Sequence, residues 1–190
     1  MKTKFLTLTL LVVSSVLFAQ DKESLKVATQ KMIDKYISGD PKAIASTMYP
    51  KIFSVVSKTE MLVNIKNNIK GSDYTSGLIN TDPSIDYGAI VKTEDGYFCI
   101  VTYNTHTKIA LKEKPAPNKV EETKERFKKL LKFDKISYHP ENGVLDAKKR
   151  IQTVAIMDSG TNKQWTFVPL DSDYAQKVLP GYIKKAVAQQ

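Results

Sequence analysis

The chain has 190 residues, 42% hydrophobic and 26% charged, with a formal net charge of +9. That length suits one domain and leaves little room for a two-domain enzyme. The composition excludes disordered, collagen-like and coiled-coil chains.

Lys2 and Lys4 make a basic start, and positions 5–18 run apolar or small without a charge before Ala19 and Gln20. This is the pattern of a secretory signal peptide, and it is shorter than the ~20 apolar residues a membrane span needs. The expectation is a signal peptide over 1–19, cut after Ala19, and a single domain over 20–190. That domain is expected to be exported to the periplasm or the cell exterior, with no integral membrane segment in the mature chain. Loss of Lys2 and Lys4 leaves 27 basic against 20 acidic residues, a net of +7.

Positions 21–38 carry Leu25, Ala28, Met32, Ile33, Tyr36 and Ile37 at helical spacing, and Gly39 ends that helix. Asp40-Pro41 supplies an N-cap and a first-turn proline for a second helix, expected through Ile44, Ala45 and Met48 to Tyr49. After Pro50 and a short apolar segment, Ser57 and Glu60 form a capping box for a third helix running to Gly71. The period then alternates. Strands are expected over 85–93 and 97–111, joined at Glu94-Asp95-Gly96 by a hairpin turn in which the glycine takes a positive φ. At ~3.3 Å per residue the second strand would extend about 50 Å, so a bend or bulge is expected near 104–107. Pro115-Ala116-Pro117 breaks it. Asn118 and Glu121 predict a capping box for a helix over 119–132, with Glu122/Arg126 and Glu125/Lys129 at i,i+4 and few apolar residues. Strands follow at 135–138, 144–157 and 164–168, and two short helices open near Asp171 or Ser172 and at Pro180. Helices grouped first and strands later argue for an α+β domain.

Legible chemistry is sparse. Cys99, the only cysteine, sits in an apolar run and reads as a small core side chain; no intramolecular disulfide can form. The two histidines lack metal-ligand spacing, and there is no dinucleotide or phosphate-loop glycine pattern, no nucleophile elbow and no calcium loop. No metal and no cofactor is expected. Segment 112–135 holds nine Lys or Arg against five acids, and Lys148-Lys149-Arg150 forms a second cluster. The acids interleave with the lysines, which favours a solvated face over a nucleic-acid surface.

Three stretches carry a resemblance: Met32-Ile33-Asp34-Lys35-Tyr36-Ile37-Ser38-Gly39-Asp40 with Ala43-Ile44-Ala45; Tyr49-Pro50-Lys51-Ile52-Phe53; and Ile156-Met157-Asp158 with Asn162-Lys163-Gln164-Trp165-Thr166-Phe167. They resemble the helical opening and closing hairpin of the nuclear transport factor 2-like superfamily, in a secreted bacterial branch. The resemblance implies N-terminal helices packed in a strongly curved antiparallel sheet, a cystatin-like cone with an internal pocket. The helix over 119–132, inserted between strands, is an addition to that core. A homodimer is implied by resemblance alone.

That superfamily includes isomerases, dehydratases and cyclases as well as members without chemistry, so fold does not choose between them. Asp34, Tyr36, Tyr49, Tyr103 and His106 are the candidate acids and bases, with Asp34 and His106 the only side chains considered for catalysis beside a tyrosine. Asp34 is expected on the solvent side of its helix and His106 on an exposed strand face, which weighs against both. The leading expectation is a non-catalytic module binding a small apolar ligand or a partner protein at the concave sheet, through Tyr36, Tyr49, Phe53, Tyr103 and Trp165. Trp165 also reads as aromatic core. The alternatives are a small lyase or isomerase with an acid-base pair inside the cone, and an electrostatic binder of an anionic envelope component.

Overall fold

The computed structural model describes residues 21–81 and 84–188; the expected signal peptide lies outside them. Positions 21–38 form α1. It is followed by α2 (Pro41–Ala45), a 3-10 turn (Pro50–Ser54) and α3 (Lys58–Ile69). Strands β1 (Tyr74–Thr81), β2 (Asp86–Tyr87), β3 (Val91–Lys92) and β4 (Gly96–Leu111) come next. Then follow α4 (Val120–Leu131), β5 (Lys135–His139), β6 (Val144–Asp158), β7 (Thr166–Pro169), α5 (Ala175–Val178) and α6 (Gly181–Ala188). The molecule is α+β, with early helices packed on a moderately curved, seven-stranded antiparallel sheet and α4 inserted between strands, a cone-like arrangement. Among the described residues no helix is long and apolar enough to cross a membrane.

The helix caps act as their chemistry dictates. The Asp40 carboxylate accepts from the Lys42 N–H at 2.9 Å, and Ser57 Oγ accepts from the Glu60 N–H at 3.1 Å, each satisfying an otherwise unpaired first-turn donor. The second helix stops at Ala45 and does not reach Tyr49. Residues 47–49 instead lie beside β7, where Phe167 N–H donates to Thr47 O and Tyr49 N–H to Phe167 O. Two sheet hydrogen bonds and burial of Met48 and Tyr49 win over another helical turn. The capping box at Asn118 does not form either: Pro117–Lys119 is a 3-10 turn, and Lys119, without a side-chain cap, precedes α4. Arg126 turns away from Glu122 to pair with Asp73 at 2.6 Å.

The long strands β4 and β6 pair without interruption from Gly96↔Asp158 to Ala110↔Val144. The irregularity expected near 104–107 lies in the partner strand β1, between Leu78 and Asn80, opposite Thr107 and His106. One extra residue in the short edge strand accommodates the twist and leaves the central pair intact. Strand β1 itself fills a stretch with no regular alternation, and the expected strand over 85–93 is split into β2 and β3 around Gly88, whose N–H still donates to Ile100 O at 2.9 Å. Gly96 turns the chain into β4 at φ 155, and a Cβ there would lie 2.1 Å from the Met157 carbonyl oxygen, so only glycine fits.

Because side chains alternate along a strand, the β4/β6 register assigns odd-numbered residues of both strands to one face and even-numbered residues to the other. Helix α1 covers one end of the odd face, with Leu25, Met32 and Ile33 against Cys99, Val101, Ala155 and Phe167. Helix α4 covers the other end through Phe127, packed with Tyr74, Ile109, Leu145 and Ala147. The even face is covered only at the β7 end, where Phe98, Val154, Ile156 and Val168 meet α5, α6 and the segment from α2 to α3. Farther along, Asn104, Lys108, Lys148 and Arg150 are exposed.

Candidate functional site

Between the footprints of α1 and α4 the middle of the odd face is open, and a cavity of about 820 Å3 occupies that space. Tyr103, Thr105 and Thr107 of β4 and Lys149 and Ile151 of β6 make its floor. Ile33 and Tyr36 from the end of α1, Met61, Asn64, Ile65 and Asn68 from α3, and Leu130 to Phe133 from the end of α4 form the walls. The volume is in the range of small-molecule sites, and the mixture of apolar walls with a few polar groups is the usual composition of such sites.

The polar groups converge on one side. Lys149 Nζ pairs with the Asp171 carboxylate, and Lys132 Nζ donates to the Asp171 carbonyl at 3.2 Å. Lys132 caps α4 in the left-handed conformation, φ 55, and from there reaches the 171–174 loop. Two lysines thus hold that loop at the rim. Burial raises the Tyr36 hydroxyl well above the usual tyrosine value, helped by Tyr103, Tyr174 and the negative Asp171. Burial raises Tyr103 in the same direction, with Asp171 adding to it, and Tyr174 moves up chiefly through burial. A tyrosine hydroxyl is protonated at neutral pH in any environment, and burial holds these three further from ionisation. They can donate a hydrogen bond to a ligand oxygen, and they are poorly suited to act as bases.

Of the side chains expected at a ligand, the structure brings Tyr36 and Tyr103 together at this cavity. The other three pack elsewhere. Tyr49 is fully buried and donates to Asp158 Oδ2 at 2.7 Å; Phe53 packs on the α2–α6 cluster; Trp165 joins the α1 cluster and donates from Nε1 to Ser24 Oγ at 2.9 Å. Asp34 is exposed on α1, accepting from Gln30 Nε2 at 2.9 Å. His106, even-numbered, lies on the sheet face opposite Tyr103 and bonds to Asp146 Oδ1 at 2.8 Å. Asp146 Oδ2 in turn meets His139 Nε2 at 3.0 Å, so the two histidines share one carboxylate on the outer face. Asp34 and His106 thus do not meet a tyrosine in the cavity. Among the described residues no group of His, Cys, Asp and Glu is arranged to hold a metal ion. Cys99 is buried, donates to Gly88 O at 3.3 Å, and its thiol is pushed up to about 11 by burial.

Lys149, Asp171 and Tyr174 were not foreseen as lining residues. Lys149 reads in sequence as part of a basic triplet, and only its cross-strand position opposite Thr105 puts it on the same face as Tyr103. Asp171 reads as a helix-opening residue. The alternation Lys149, Ile151, Thr153 was the available signal, but it has no direction until the partner strand is known.

No family model matches the chain, and no curated protein matches it. Among solved structures, a conserved protein from Planctomyces limnophilus DSM 3776 aligns with 12% identity and a TM-score of 0.41, over 80% of this chain and 99% of that one.

Proposed function

We propose that this is an exported, non-catalytic binding module of the nuclear transport factor 2-like type. Its cavity takes a small, largely apolar molecule bearing one oxygen that accepts from Tyr36 or Tyr103. The observation that carries the reading is the cavity of about 820 Å3 between α1, α3, α4 and the sheet. Two protonated tyrosines, whose ionisation burial opposes further, stand in it among aliphatic side chains. Transfer of apolar ligand surface out of water would supply the affinity, at ~25 cal/mol per Å2, and the hydroxyls the orientation. Of its charged groups, Lys149 is paired with Asp171 and Lys132 lies 3.8 Å from Asp173, while Glu60 and Lys177 lie on the walls; pairing of the central groups supports binding over proton transfer. Export rests on the basic start and uncharged apolar run of 1–19.

The test uses the full chain expressed with its N-terminus in a Gram-negative host. The periplasmic protein is expected to begin at Gln20 by intact mass. N-phenyl-1-naphthylamine, a neutral fluorescent probe, should brighten on binding, and Ile151→Trp, which fills the cavity floor, should abolish that signal while Trp165 stays in its native environment. Equal brightening in the wild type and the filled variant would place the probe elsewhere and sink the reading.

A further inference from the structure

A second feature lies on the opposite sheet face, where β6 loses its neighbour. Strand β5 pairs with β6 only as far as Lys148, and β7 begins pairing at Thr153. The intervening edge is partly closed by Asp134, whose Oδ2 accepts from the Arg150 main-chain N–H at 2.6 Å. A groove of about 420 Å3 opens there, lined by Lys135, Lys148, Arg150, Asn104 and His106 with Asp134.

Its charges are arranged at a cost. Lys135 is directly opposite Lys148, and Lys148 directly opposite His106, so two lysines and a histidine share one cross-strand row. Like charges directly opposite each other in a sheet are destabilising. Arg150 and Asn104 form the next row. Among the described residues neither lysine has an acid within ion-pair distance, and Arg150 reaches only Asp86, at 4.0 Å with both side chains exposed. In 112–135, the stretch that looks most basic in the sequence, Lys119 pairs with Glu122, Lys124 with Glu121 and Arg126 with Asp73, so part of its charge is offset.

The patch is also short. Asp146, with His139 and Glu141 beside it, closes one end, and Asp86, paired with Thr102, closes the other. A long polyanion or a flat anionic membrane would meet these acids, whereas a compact anion in the groove would meet only Asp134, whose Oδ2 is already engaged by the Arg150 N–H. We propose that this groove binds a compact anion carrying two or more phosphoryl groups. Lys135, Lys148 and Arg150 supply the charge, and Asn104 and His106 stand beside it as polar groups. Lysine and arginine side chains are the usual partners of phosphoryl oxygens.

The experiment is calorimetric titration of the purified protein with inorganic tripolyphosphate at low salt, in parallel with dextran sulfate and with anionic phosphatidylglycerol vesicles. Tripolyphosphate is expected to bind and to weaken as sodium chloride is added. Lys148→Gln should weaken it at least about tenfold and, by relieving the lysine pair, melt no lower than the wild type without ligand. Arg150→Gln gives a second reading of the same loss, and the double variant Lys119→Gln/Lys124→Gln should bind as the wild type does. Ile151→Trp should leave this binding intact, which separates failure here from failure of the cavity reading. The proposal is overturned by absence of tripolyphosphate binding, by undiminished binding in Lys148→Gln and Arg150→Gln, or by preference for vesicles or dextran sulfate over tripolyphosphate.

Discussion

Tyr49 shows how one hydroxyl ties distant parts of the chain. Its ring is fully buried and its O–H donates to Asp158 at 2.7 Å, across 109 residues of sequence. Tyr49→Phe keeps the packing and removes one donor from a part-buried carboxylate that also accepts from the Thr161 main chain and whose Oδ1 has no hydrogen-bond partner among the described residues. The expected loss is about 1–3 kcal/mol, seen as a drop of several degrees in Tm. The tyrosines also set a pH limit. Tyr36, Tyr49 and Tyr103 all have folded values raised above the usual 10.0, in each case first by burial. Above that pH the unfolded chain releases these protons while the folded chain keeps them. The unfolded state then binds fewer protons, so their contribution, intact below pH 10.0, is lost as pH rises. Urea unfolding between about pH 9 and pH 11 should show falling stability, with a shallower slope in Tyr36→Phe/Tyr103→Phe. Equal slopes would contradict the assignment.

At the scale of elements, α4 has a narrow footing. Phe127 is its fully buried residue, edge-on to Tyr74 at 5.1 Å with an interplanar angle of 90°. Arg126 lies over the Phe127 ring at 4.5 Å while pairing with Asp73, and that guanidinium holds the Asp73 carboxyl below its usual range. The exposed ion pair adds little, so docking rests on the ring. Phe127→Ala should cost about 3–5 kcal/mol and speed hydrogen exchange of the α4 amides before those of α1. Uniform destabilisation of both helices would instead mean that α4 is part of the central cooperative unit. Since Leu130 and Leu131 wall the cavity, the same variant should also weaken binding of the naphthylamine probe.

For the whole molecule, the two sheet faces have separate surroundings. The odd face is covered at both ends and hollow between them, whereas the even face is covered at one end and leaves a charged surface at the other. Much of the layout is legible in sequence, because it depends on local chemistry. Asp40 and Ser57 cap the helices that follow them, and Gly96, at positive φ, sits at the turn expected of it. The grouping of early helices and later strands yields the α+β class. The cavity is only partly legible. Tyr36 and Tyr103 could be chosen because each sits in an apolar pattern, but Tyr49 and Trp165 satisfy the same pattern and are consumed by packing and by hydrogen bonds to Asp158 and Ser24.

What the sequence alone determined is therefore the α+β class and the helix starts and turn set by Asp40, Ser57 and Gly96, since capping and turn geometry act within a few residues of each position; the end of α2, the split between β2 and β3 and the whole of β1 lay beyond it. The tertiary structure decided what those elements meet. Segment 47–49 left its helix for the edge of β7, the bulge moved from β4 to its partner, and Lys149 and His106 went to opposite faces of one sheet. Each of these outcomes depends on the register between strands far apart in the chain, and a slip of one residue would exchange the two faces. Register is settled by the combined burial of several distant segments, and that sum exists only once the chain has folded.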